Sequence, residues 1–314
     1  MKTALYTIAI LSVTALAGVW TLNNVQAQAS WYDSSWNYRQ KITIASSQVD
    51  SNLTDFPVYV DLATMSSGFF SNVQSDGGDI RITQSDGTTE VARDVVSIDT
   101  ASSTGELHFK ASSVSSTSDT EFYVYYGNSG ASNYTETATY GAENVWTNSQ
   151  AGVWHLGEET GDAIDSTSNN NDGTPKNSVT QGVSGQVGQA YEFDGDDDHV
   201  KIDSGSVSLS QPVSMSIWVF QDAGSGFNTY LAKNADGDNI PDPVDIRSGS
   251  DESNLEIKTD GGDIEANNVL PVNEWFHFAV TWESDGSAKA YVNSTVVATS
   301  ATSFSDKVNP VWIG

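Results

Sequence analysis

The chain has 314 residues, no cysteine and a formal net charge of −28 at pH 7. A surface with this much negative charge repels nucleic acids and anionic membranes, which excludes both as binding partners. Because disulfides are excluded as well, an exported form of the chain must be stabilised by its apolar cores or by bound cations. The excess of carboxylates has two interpretations, which are divalent-cation sites and solubility in a saline medium.

The first 29 residues have the pattern of an export signal. Lys2 precedes an apolar stretch over residues 4–20, and Ala27-Gln28-Ala29 supplies the small-x-small site that a signal peptidase cleaves. The alternative is an uncleaved membrane anchor, because about 17 apolar residues border on the length that spans a bilayer. We favour cleavage, which predicts an extracellular or cell-surface protein with no membrane insertion after the signal is removed.

Residues 30–128 show the alternation of apolar and polar side chains that is typical of β-strands. Turn signals rich in Asp, Gly and Ser separate the alternating runs, which favours an antiparallel β-sandwich over alternating strands and helices. The runs are residues 38–44, 56–62, 79–83, 106–110 and 121–126, with another beginning at Val91. The polar segment 129–150 is predicted to link two domains and to be partly held by its own aromatic residues.

Four segments of this first region resemble an uncharacterised β domain that recurs in large bacterial and archaeal surface proteins, often directly before a laminin-G-like module. They are WYDSSWNYRQKITI (31–44), LTDFPVYVDL (53–62), DGGDIRIT (76–83) and FYVYYGN (122–128). The resemblance covers about residues 31–128. It implies a secreted or surface context and no activity.

The region from residue 151 onwards also has a pattern of strands and turns. Its central stretch, residues 184–202, is predicted to be a strand, an acidic turn and a second strand. Residues 213–220 form the clearest buried strand, because apolar residues occupy every second position from Val213 to Val219. Further strands are predicted at residues 153–156, 255–258, 275–282 and 288–292.

Six segments of this second region resemble the laminin-G-like, concanavalin A-like jelly-roll family. They are VWHLGE (153–158), DSTSNNNDGT (165–174), GVSGQVGQAYEFDG (182–195), VSMSIWV (213–219), EWFHFAVTW (274–282) and YVN (291–293). The resemblance implies two packed antiparallel sheets with rim loops that often hold calcium or sugar. Family members usually close with a further strand beyond the position of residues 311–314. We therefore expect this domain to be incomplete at its C-terminus, as a fragment of a longer protein; the alternative is a last strand supplied from elsewhere.

The sequence thus predicts an all-β protein. A signal peptide over residues 1–29 is followed by an antiparallel β-sandwich of unknown function at 30–128 and a linker at 129–150. A concanavalin A-like (laminin-G-like) jelly-roll sandwich is expected at 151–314. After the signal, no segment has the sustained periodicity of a helix.

The loop NADGDNIPDPVD spaces oxygen ligands as a calcium-binding loop does. Side-chain oxygens occur at loop positions 1, 3, 5, 9 and 12, and a backbone carbonyl is available at position 7. The six residues are Asn234, Asp236, Asp238, Ile240, Asp242 and Asp245. A hard cation takes about six to eight oxygens, which this spacing wraps around one point, so Ca²⁺ is the expected ion.

The same loop resembles the calcium repeats of thrombospondin-type and bacterial surface proteins. Asn239 replaces the turn glycine, and Asp245 replaces the bidentate glutamate, which predicts weaker binding. The alternative is an acidic, solvated loop between two strands.

A second acidic cluster is a weaker candidate for cation binding. It consists of Asp194, Asp196 and Asp198 together with Asp197. An ion would relieve the mutual repulsion of these carboxylates, whereas the alternative interpretation is a structural turn at the Asp194-Gly195 pair. We expect Asp165 and residues 169–172 to form a structured turn as well.

No catalytic constellation stands out, so a non-catalytic protein is predicted. A glycosidase needs two carboxylates about 5–10 Å apart. Glycosidases with this jelly roll carry them in an E-x-D-x-x-E run on one strand, and no predicted strand contains such a run. The four histidines have no HExxH partner, and without cysteine a thiol nucleophile is excluded. His155 and His277 are interpreted as sheet residues, and a catalytic domain beyond Gly314 is compatible with the sequence.

Sugar binding, a common role in the resembling family, requires exposed aromatic side chains. The candidates are Trp154, Trp218, Trp275 and Trp282. Most of them alternate with core residues, so the core interpretation is favoured for each. The sequence selects no binding face among them.

Three functions fit these features. We favour a secreted or cell-surface, non-catalytic module for adhesion or carbohydrate recognition that is stabilised by calcium. Its partner would be an extracellular glycan or a surface protein. The alternatives are an accessory binding region of a larger secreted glycan-active hydrolase and a purely structural surface spacer.

Overall fold

The structure is a computed structural model that describes residues 31–203, 205–224, 226–233 and 243–314. These residues form two compact units. The first unit contains the described residues up to Gly157 together with Ser166–Asn170, and the second contains Glu158–Asp165 and the described part of Asn171–Gly314.

Both units are built from antiparallel strands, which confirms the all-β prediction. Within the described ranges, helical structure is limited to three short 3-10 turns, Ser46–Gln48, Leu62–Thr64 and Ala142–Asn144. None of the helices in this part of the chain has the length and apolar character that crossing a bilayer requires.

Seven strands form the first unit. They are β1 (Tyr38–Ile44), β2 (Leu53–Asp61), β3 (Arg81–Gln84), β4 (Glu90–Val91), β5 (Arg93–Asp99), β6 (Thr104–Val114) and β7 (Thr120–Tyr126). They make one sheet in the order β1-β7-β3-β4 and a second in the order β2-β6-β5. Ring contacts join the sheets, since Phe109 of β6 and Phe122 of β7 are buried with their centroids 4.7 Å apart. The N-terminal β-sandwich is therefore confirmed.

One buried carboxylate joins two of the segments that carry the sequence resemblance. Asp79 accepts hydrogen bonds from the backbone amides of Gln74 (2.9 Å), Gly127 (2.6 Å) and Asn128 (3.1 Å). Gly127 has a φ of +85°, a conformation that favours glycine, and a Cβ there would lie 2.4 Å from the ring of Tyr38. The DGGD and YYGN segments are therefore held together by the carboxylate of Asp79.

The segment predicted as a linker, residues 129–150, is part of the first unit. Two buried guanidinium groups hold it: Arg81 donates to the carbonyl of Ser132 (2.9 Å), and Arg93 donates to Oδ1 of Asn133 (3.0 Å). The guanidinium of Arg81 also lies 4.2 Å from the ring centroid of Tyr134. These contacts supply the two buried guanidinium groups with hydrogen-bond acceptors and place one of them against the ring of Tyr134.

The described part of the second unit contains thirteen strands. They are β8 (Gly173–Lys176), β9 (Thr180–Ser184), β10 (Gln189–Glu192), β11 (His199–Ile202), β12 (Val213–Phe220), β13 (Thr229–Lys233), β14 (Val244–Ser248), β15 (Leu255–Thr259), β16 (Ile264–Ala266), β17 (Trp275–Trp282), β18 (Ala288–Val292), β19 (Thr295–Ser300) and β20 (Val311–Ile313). The large sheet has the order β16-β15-β14-β13-β20-β11-β8, and the small sheet has the order β12-β17-β18-β19. Strands β9 and β10 pair separately.

The two sheets of this unit meet through aromatic side chains. Tyr230 of β13 and Phe276 of β17 are buried with ring centroids 6.0 Å apart, and Trp282 packs edge-on against Phe304 at 5.0 Å. Strand β20 lies inside the large sheet, where it pairs with both β11 and β13. This double antiparallel sheet agrees with the predicted jelly-roll sandwich.

Strands β12, β17 and β18 have the predicted bounds, because a sustained apolar run marks each of them. The predicted strand at 153–156 is wrong. Leu156 has a φ of +55°, which interrupts the extended backbone there. Seven strands have no counterpart in the prediction, because they are short or carry polar residues on both faces: β8, β9, β13, β14, β16, β19 and β20.

Candidate functional site

The small sheet of the second unit has one face on the core and one face outside it. In β12, the buried residues Met215 and Val219 alternate with the exposed residues Ser216 and Phe220. All of residues 276–280 in β17 are buried. The antiparallel register with β12 therefore decides which of these residues share the outer face.

Aromatic side chains occupy one end of this outer face, and we call them the aromatic face. Its members are Trp218 and Phe220 of β12, Trp275 and His277 of β17, and Tyr291 of β18. Phe220 lies opposite Trp275 with ring centroids 5.7 Å apart, and Trp218 lies opposite His277 with centroids 5.3 Å apart. Phe220 is 45 % exposed, although its neighbours are large and apolar.

Polar side chains continue the outer face beyond the aromatic rings. Along one row, Ser214 lies opposite Thr281, Thr281 opposite Lys289, and Lys289 opposite Thr299. Hydroxyl and ammonium groups in this row donate and accept hydrogen bonds. The sheet thus offers flat apolar rings and hydrogen-bonding groups on one continuous surface.

His277 adds a neutral ring to the aromatic face. The residue is 7 % exposed, and burial lowers the pKa of its imidazole. A neutral imidazole at neutral pH leaves this end of the sheet uncharged rather than cationic.

The outer face of the large sheet has a different character at its β14–β16 end, where ion pairs occupy it. Arg247 contacts Asp245 at 3.1 Å and Glu256 at 3.3 Å, and Lys258 contacts Asp263 at 2.9 Å and Glu265 at 3.0 Å. Opposite charges already satisfy one another on that face. The aromatic face is therefore the better candidate for binding a ligand.

The structure separates the four tryptophans that the sequence could not assign. Trp282 is 1 % exposed in the core, as predicted. The core interpretation is wrong for Trp218 and Trp275, because the strand register places both on the outer face. Trp154 belongs to the first unit, where its ring lies against Gly152.

Most of the predicted calcium loop lies outside the described residues. This applies to Asn234, Asp236, Asp238, Ile240 and Asp242. Asp245 is described and lies in β14, where its carboxylate accepts hydrogen bonds from Arg247 (3.1 Å) and from the hydroxyl of Thr229 (3.4 Å). Calcium binding by this loop stays a prediction.

The second acidic cluster forms the turn between β10 and β11. Asp194 Oδ1 accepts from the amide of Asp196 (2.9 Å), and Asp198 Oδ1 accepts from the amide of Asp194 (2.8 Å). The hydrogen bond from the amide of Asp196 lowers the pKa of Asp194, whereas burial raises the pKa of Asp198. These contacts match the structural interpretation of the turn, and cation binding there stays a prediction.

The predicted turn around Asp165 is present. Asp165 is 3 % exposed, and its carboxylate accepts from the amide of Asn171 at 3.0 Å. The amide of Asp165 in turn donates to Oδ1 of Asp172 at 2.9 Å. The two carboxylates therefore close the turn reciprocally.

A second candidate site lies in the first unit, and we call it the histidine–carboxylate cluster. It consists of Asp94, Glu106, His108 and His155. Oε1 of Glu106 lies 2.8 Å from Nε2 of His108 and 3.3 Å from Nδ1 of His155. Nε2 of His155 lies 3.3 Å from Oδ2 of Asp94. One ligand atom from each of Glu106, His108 and His155 fits within 4.8 Å of the others.

Strand register builds this cluster on the outer face of the sheet β2-β6-β5. Glu106 and His108 are two residues apart on β6 and share a face, while Leu107 between them is fully buried in the core. Asp94 lies directly opposite His108 on β5. Trp146 covers the site and donates its indole N–H to Asp94 at 3.0 Å.

Mutual contacts set the charges in the histidine–carboxylate cluster. Burial opposes the charge on His155, but hydrogen bonds with Asp94 and Glu106 raise its pKa to about 10. Burial would raise the pKa of Glu106, yet its contacts with both histidines hold that pKa at about 2. Burial lowers the pKa of His108. At neutral pH, the cluster without an ion holds two carboxylates, one imidazolium and one neutral imidazole.

Sequence reasoning missed this cluster because its members are far apart in the chain. Asp94 and His155 are separated by 61 residues, and His155 was expected in a strand that does not form. The available signal was Glu106 and His108 at i and i+2 of one predicted strand. His277, by contrast, lies in β17 as predicted.

Two family models match parts of the chain. Residues 194–314 match the concanavalin A-like lectin/glucanases superfamily, and residues 76–171 match a domain of unknown function, DUF2341. Both matches confirm the resemblances predicted from the sequence.

Among solved structures, the chain is similar to the carbohydrate-binding module CBM66 from Bacillus subtilis. The identity is 19 % and the TM-score is 0.29, over 45 % of this chain and 86 % of that chain. A comparison with curated proteins gives no significant match.

Proposed function

We propose that the second unit is a carbohydrate-binding module and that the aromatic face is its binding surface. The observation that carries the proposal is the position of Trp218 and Trp275 on adjacent strands, outside the core. Phe220 is exposed and Trp218, Trp275 and Tyr291 are partly exposed, so their rings form a contiguous apolar patch outside the core. Such patches mark interaction sites. The match of residues 194–314 to a superfamily of lectins and glucanases supports a glycan as the ligand.

The chemistry of the outer face suits a saccharide. Sugar rings present apolar C–H groups, which pack on Trp218 and Trp275, and hydroxyl groups, which pair with the row of Ser214, Thr281 and Lys289. Ala279 has the smallest side chain on this face, and it lies between Ser216 and Tyr291. A flat ligand can therefore approach the sheet backbone most closely there.

Recognition without hydrolysis is the activity that this face supports. The outward-facing side chains of β12, β17 and β18, all of them described, include no carboxylate. A glycosidase requires two carboxyl groups on either side of the scissile bond. We therefore propose a non-catalytic binding module that acts at the cell surface or outside the cell, in keeping with the predicted export signal, and that is stabilised by calcium at the loop 234–245.

Affinity gel electrophoresis of the purified chain against a panel of neutral and acidic polysaccharides tests the binding surface. At least one polysaccharide should retard the chain. Trp218→Ala and Trp275→Ala should each weaken that binding about tenfold or more, which corresponds to ~1.4 kcal/mol. Trp312→Ala is the matched control, because Trp312 lies on the outer face of the large sheet opposite Lys201 and Ala232.

Three results would each contradict a part of the proposal. Retardation by no polysaccharide would remove the function, and equal loss in the Trp312→Ala control would remove the assignment to the aromatic face. Release of reducing ends from a bound polysaccharide would contradict the non-catalytic role. Far-UV circular dichroism of each variant confirms that the sheets are intact.

A further inference from the structure

The histidine–carboxylate cluster has the composition and spacing of a transition-metal site. Ligand atoms of Glu106, His108 and His155 lie within 4.8 Å of one another, and two of their separations are 2.8 Å and 3.3 Å. Around a tetrahedral ion with ligand distances of about 2.0–2.2 Å, neighbouring ligand atoms lie about 3.3–3.6 Å apart. The separation between Glu106 and His155 already matches this spacing, and the separation between Glu106 and His108 matches it once His108 moves slightly away from Glu106.

Asp94 and Trp146 orient the ring of His155 in the way that the ring of a metal-binding histidine is usually oriented. Asp94 contacts Nε2 of His155 at 3.3 Å, so the ring donates its Nε2–H to a carboxylate and turns Nδ1 towards Glu106. The indole of Trp146 donates to the same oxygen of Asp94 at 3.0 Å and holds that carboxylate in place. A carboxylate on the second ring nitrogen is the usual support of a metal-binding histidine.

Charge balance favours a divalent cation in this position. The side chains of Asp94 and Glu106 are 9 % and 8 % exposed, so two negative charges lie close together in a poorly solvated site. Burial of unbalanced charge is costly. A divalent cation that takes the place of the proton on His155 balances both carboxylates, with both imidazoles neutral.

We propose that Glu106, His108 and His155 bind a divalent transition-metal ion, for which zinc is the best match, with Asp94 as a positioning residue. Two imidazoles and one carboxylate suit zinc, whereas calcium takes oxygen ligands only. The side chains of His108 and His155 are 13 % and 12 % exposed, so the cluster is not fully sealed from solvent. A water molecule completes the fourth coordination position.

Calorimetric titration of the metal-free chain with zinc chloride tests the site. The titration is run in excess calcium, which occupies sites that offer oxygen ligands only. We expect one zinc ion per chain under these conditions. Cobalt(II) in place of zinc should give the visible d–d absorption of a four- or five-coordinate ion with nitrogen ligands.

Three variants identify the ligands. His108→Phe keeps a ring beside Tyr59 and Trp146, and it should weaken zinc binding at least tenfold. Asp94→Asn should keep one ion per chain but weaken binding about 10- to 100-fold, as expected for a supporting residue. His199→Phe removes a histidine from the second unit and should leave zinc binding unchanged.

The proposal fails if zinc shows no saturable binding in excess calcium. It also fails if His108→Phe and His199→Phe bind zinc as the natural chain does, because the ion would then be held elsewhere. Circular dichroism and thermal unfolding of the metal-free variants exclude misfolding as the cause of a lost signal. Zinc binding by the Asp236→Ala/Asp238→Ala variant should be unchanged, which separates this site from the acidic loop.

Discussion

Lys233 lies on the inner side of the large sheet, at 1 % exposure, in a position that a core residue would normally take. Its ammonium group donates to the backbone carbonyl of Val207 at 2.8 Å and contacts the carboxylate of Asp306. The two partners come from separate loops, so one cation ties both loops to strand β13. Sequence pattern alone could not predict this pair, because Lys233 and Asp306 are 73 residues apart.

Removal of the carboxylate from this pair should destabilise the second unit. Asp306→Asn leaves the buried ammonium of Lys233 without a counter-charge. We expect a loss of about 3 kcal/mol in the free energy of unfolding, at the lower end for a buried pair because the side chain of Asp306 is 21 % exposed. Urea unfolding measures the loss, and Lys233→Met combined with Asp306→Asn should recover part of it.

The exposed pair of Lys258 and Asp263 is the matched control. Their atoms lie 2.9 Å apart, but the side chain of Asp263 is 47 % exposed. Asp263→Asn should therefore change stability by only about 0.5 kcal/mol. Equal losses in Asp306→Asn and Asp263→Asn would show that burial of Lys233 has no energetic consequence.

The same pair should make stability depend on acid pH. Burial raises the pKa of Asp306, but hydrogen bonds from Lys233 and Ser208 outweigh burial and hold that pKa below its ordinary value of 3.8. The stabilisation is therefore present above pH 3.8 and is lost as the pH falls through the lower folded-state pKa. Urea unfolding at pH 5 and pH 3 should show a smaller difference between the natural chain and Asp306→Asn at about pH 3.

At the scale of the strand, β12 and β17 show what alternation can and cannot predict. The bounds of both strands follow from their apolar runs. The apolar run does not show which face of β17 lies on the core. WFHFAVTW is aromatic or apolar at nearly every position, so both faces look suitable for a core. Only the register with β12, whose outer positions include Ser214 and Ser216, separates Trp282 from Trp275.

Substitution of a core tryptophan should therefore reduce stability, whereas substitution of an outer-face tryptophan should reduce polysaccharide binding. Trp282 is fully buried, donates its indole N–H to the carbonyl of Thr302 at 3.0 Å and packs on Phe304. Trp282→Ala should cost about 3–5 kcal/mol in urea unfolding. Trp218→Ala, on the outer face, should cost about 1 kcal/mol or less while it reduces polysaccharide binding. Similar stability losses in the two variants would contradict the assignment of faces.

At the scale of the whole chain, alternation and turn residues predicted the all-β class, and particular sequence segments carried the family resemblances of both regions. They could not predict contacts that the fold makes between distant residues. The histidine–carboxylate cluster is one such contact, since a strand register brings Asp94 opposite His108 and a segment without regular structure adds His155. The buried pair of Lys233 and Asp306 is another. Alternation encodes which face of a strand is apolar, but not which charged residues meet across a sheet.

Calcium should stabilise the second unit through the loop 234–245, and not merely by screening the net charge of −28. An ion that binds only the folded state at 100 times its dissociation constant adds about 2.7 kcal/mol. Amide hydrogen exchange of β17, in calcium and in chelator at constant ionic strength, should show this gain. Asp236→Ala/Asp238→Ala should abolish it.

A second double variant separates a bound ion from screening. Glu159→Ala/Glu192→Ala removes the same charge from exposed positions of the second unit and should keep the full calcium response. If calcium acted by screening alone, the two double variants would respond equally, because each lowers the net negative charge by the same amount. An equal response would therefore make the loop ordinary acidic surface, and a response lost only with Asp236 and Asp238 would identify it as the calcium site.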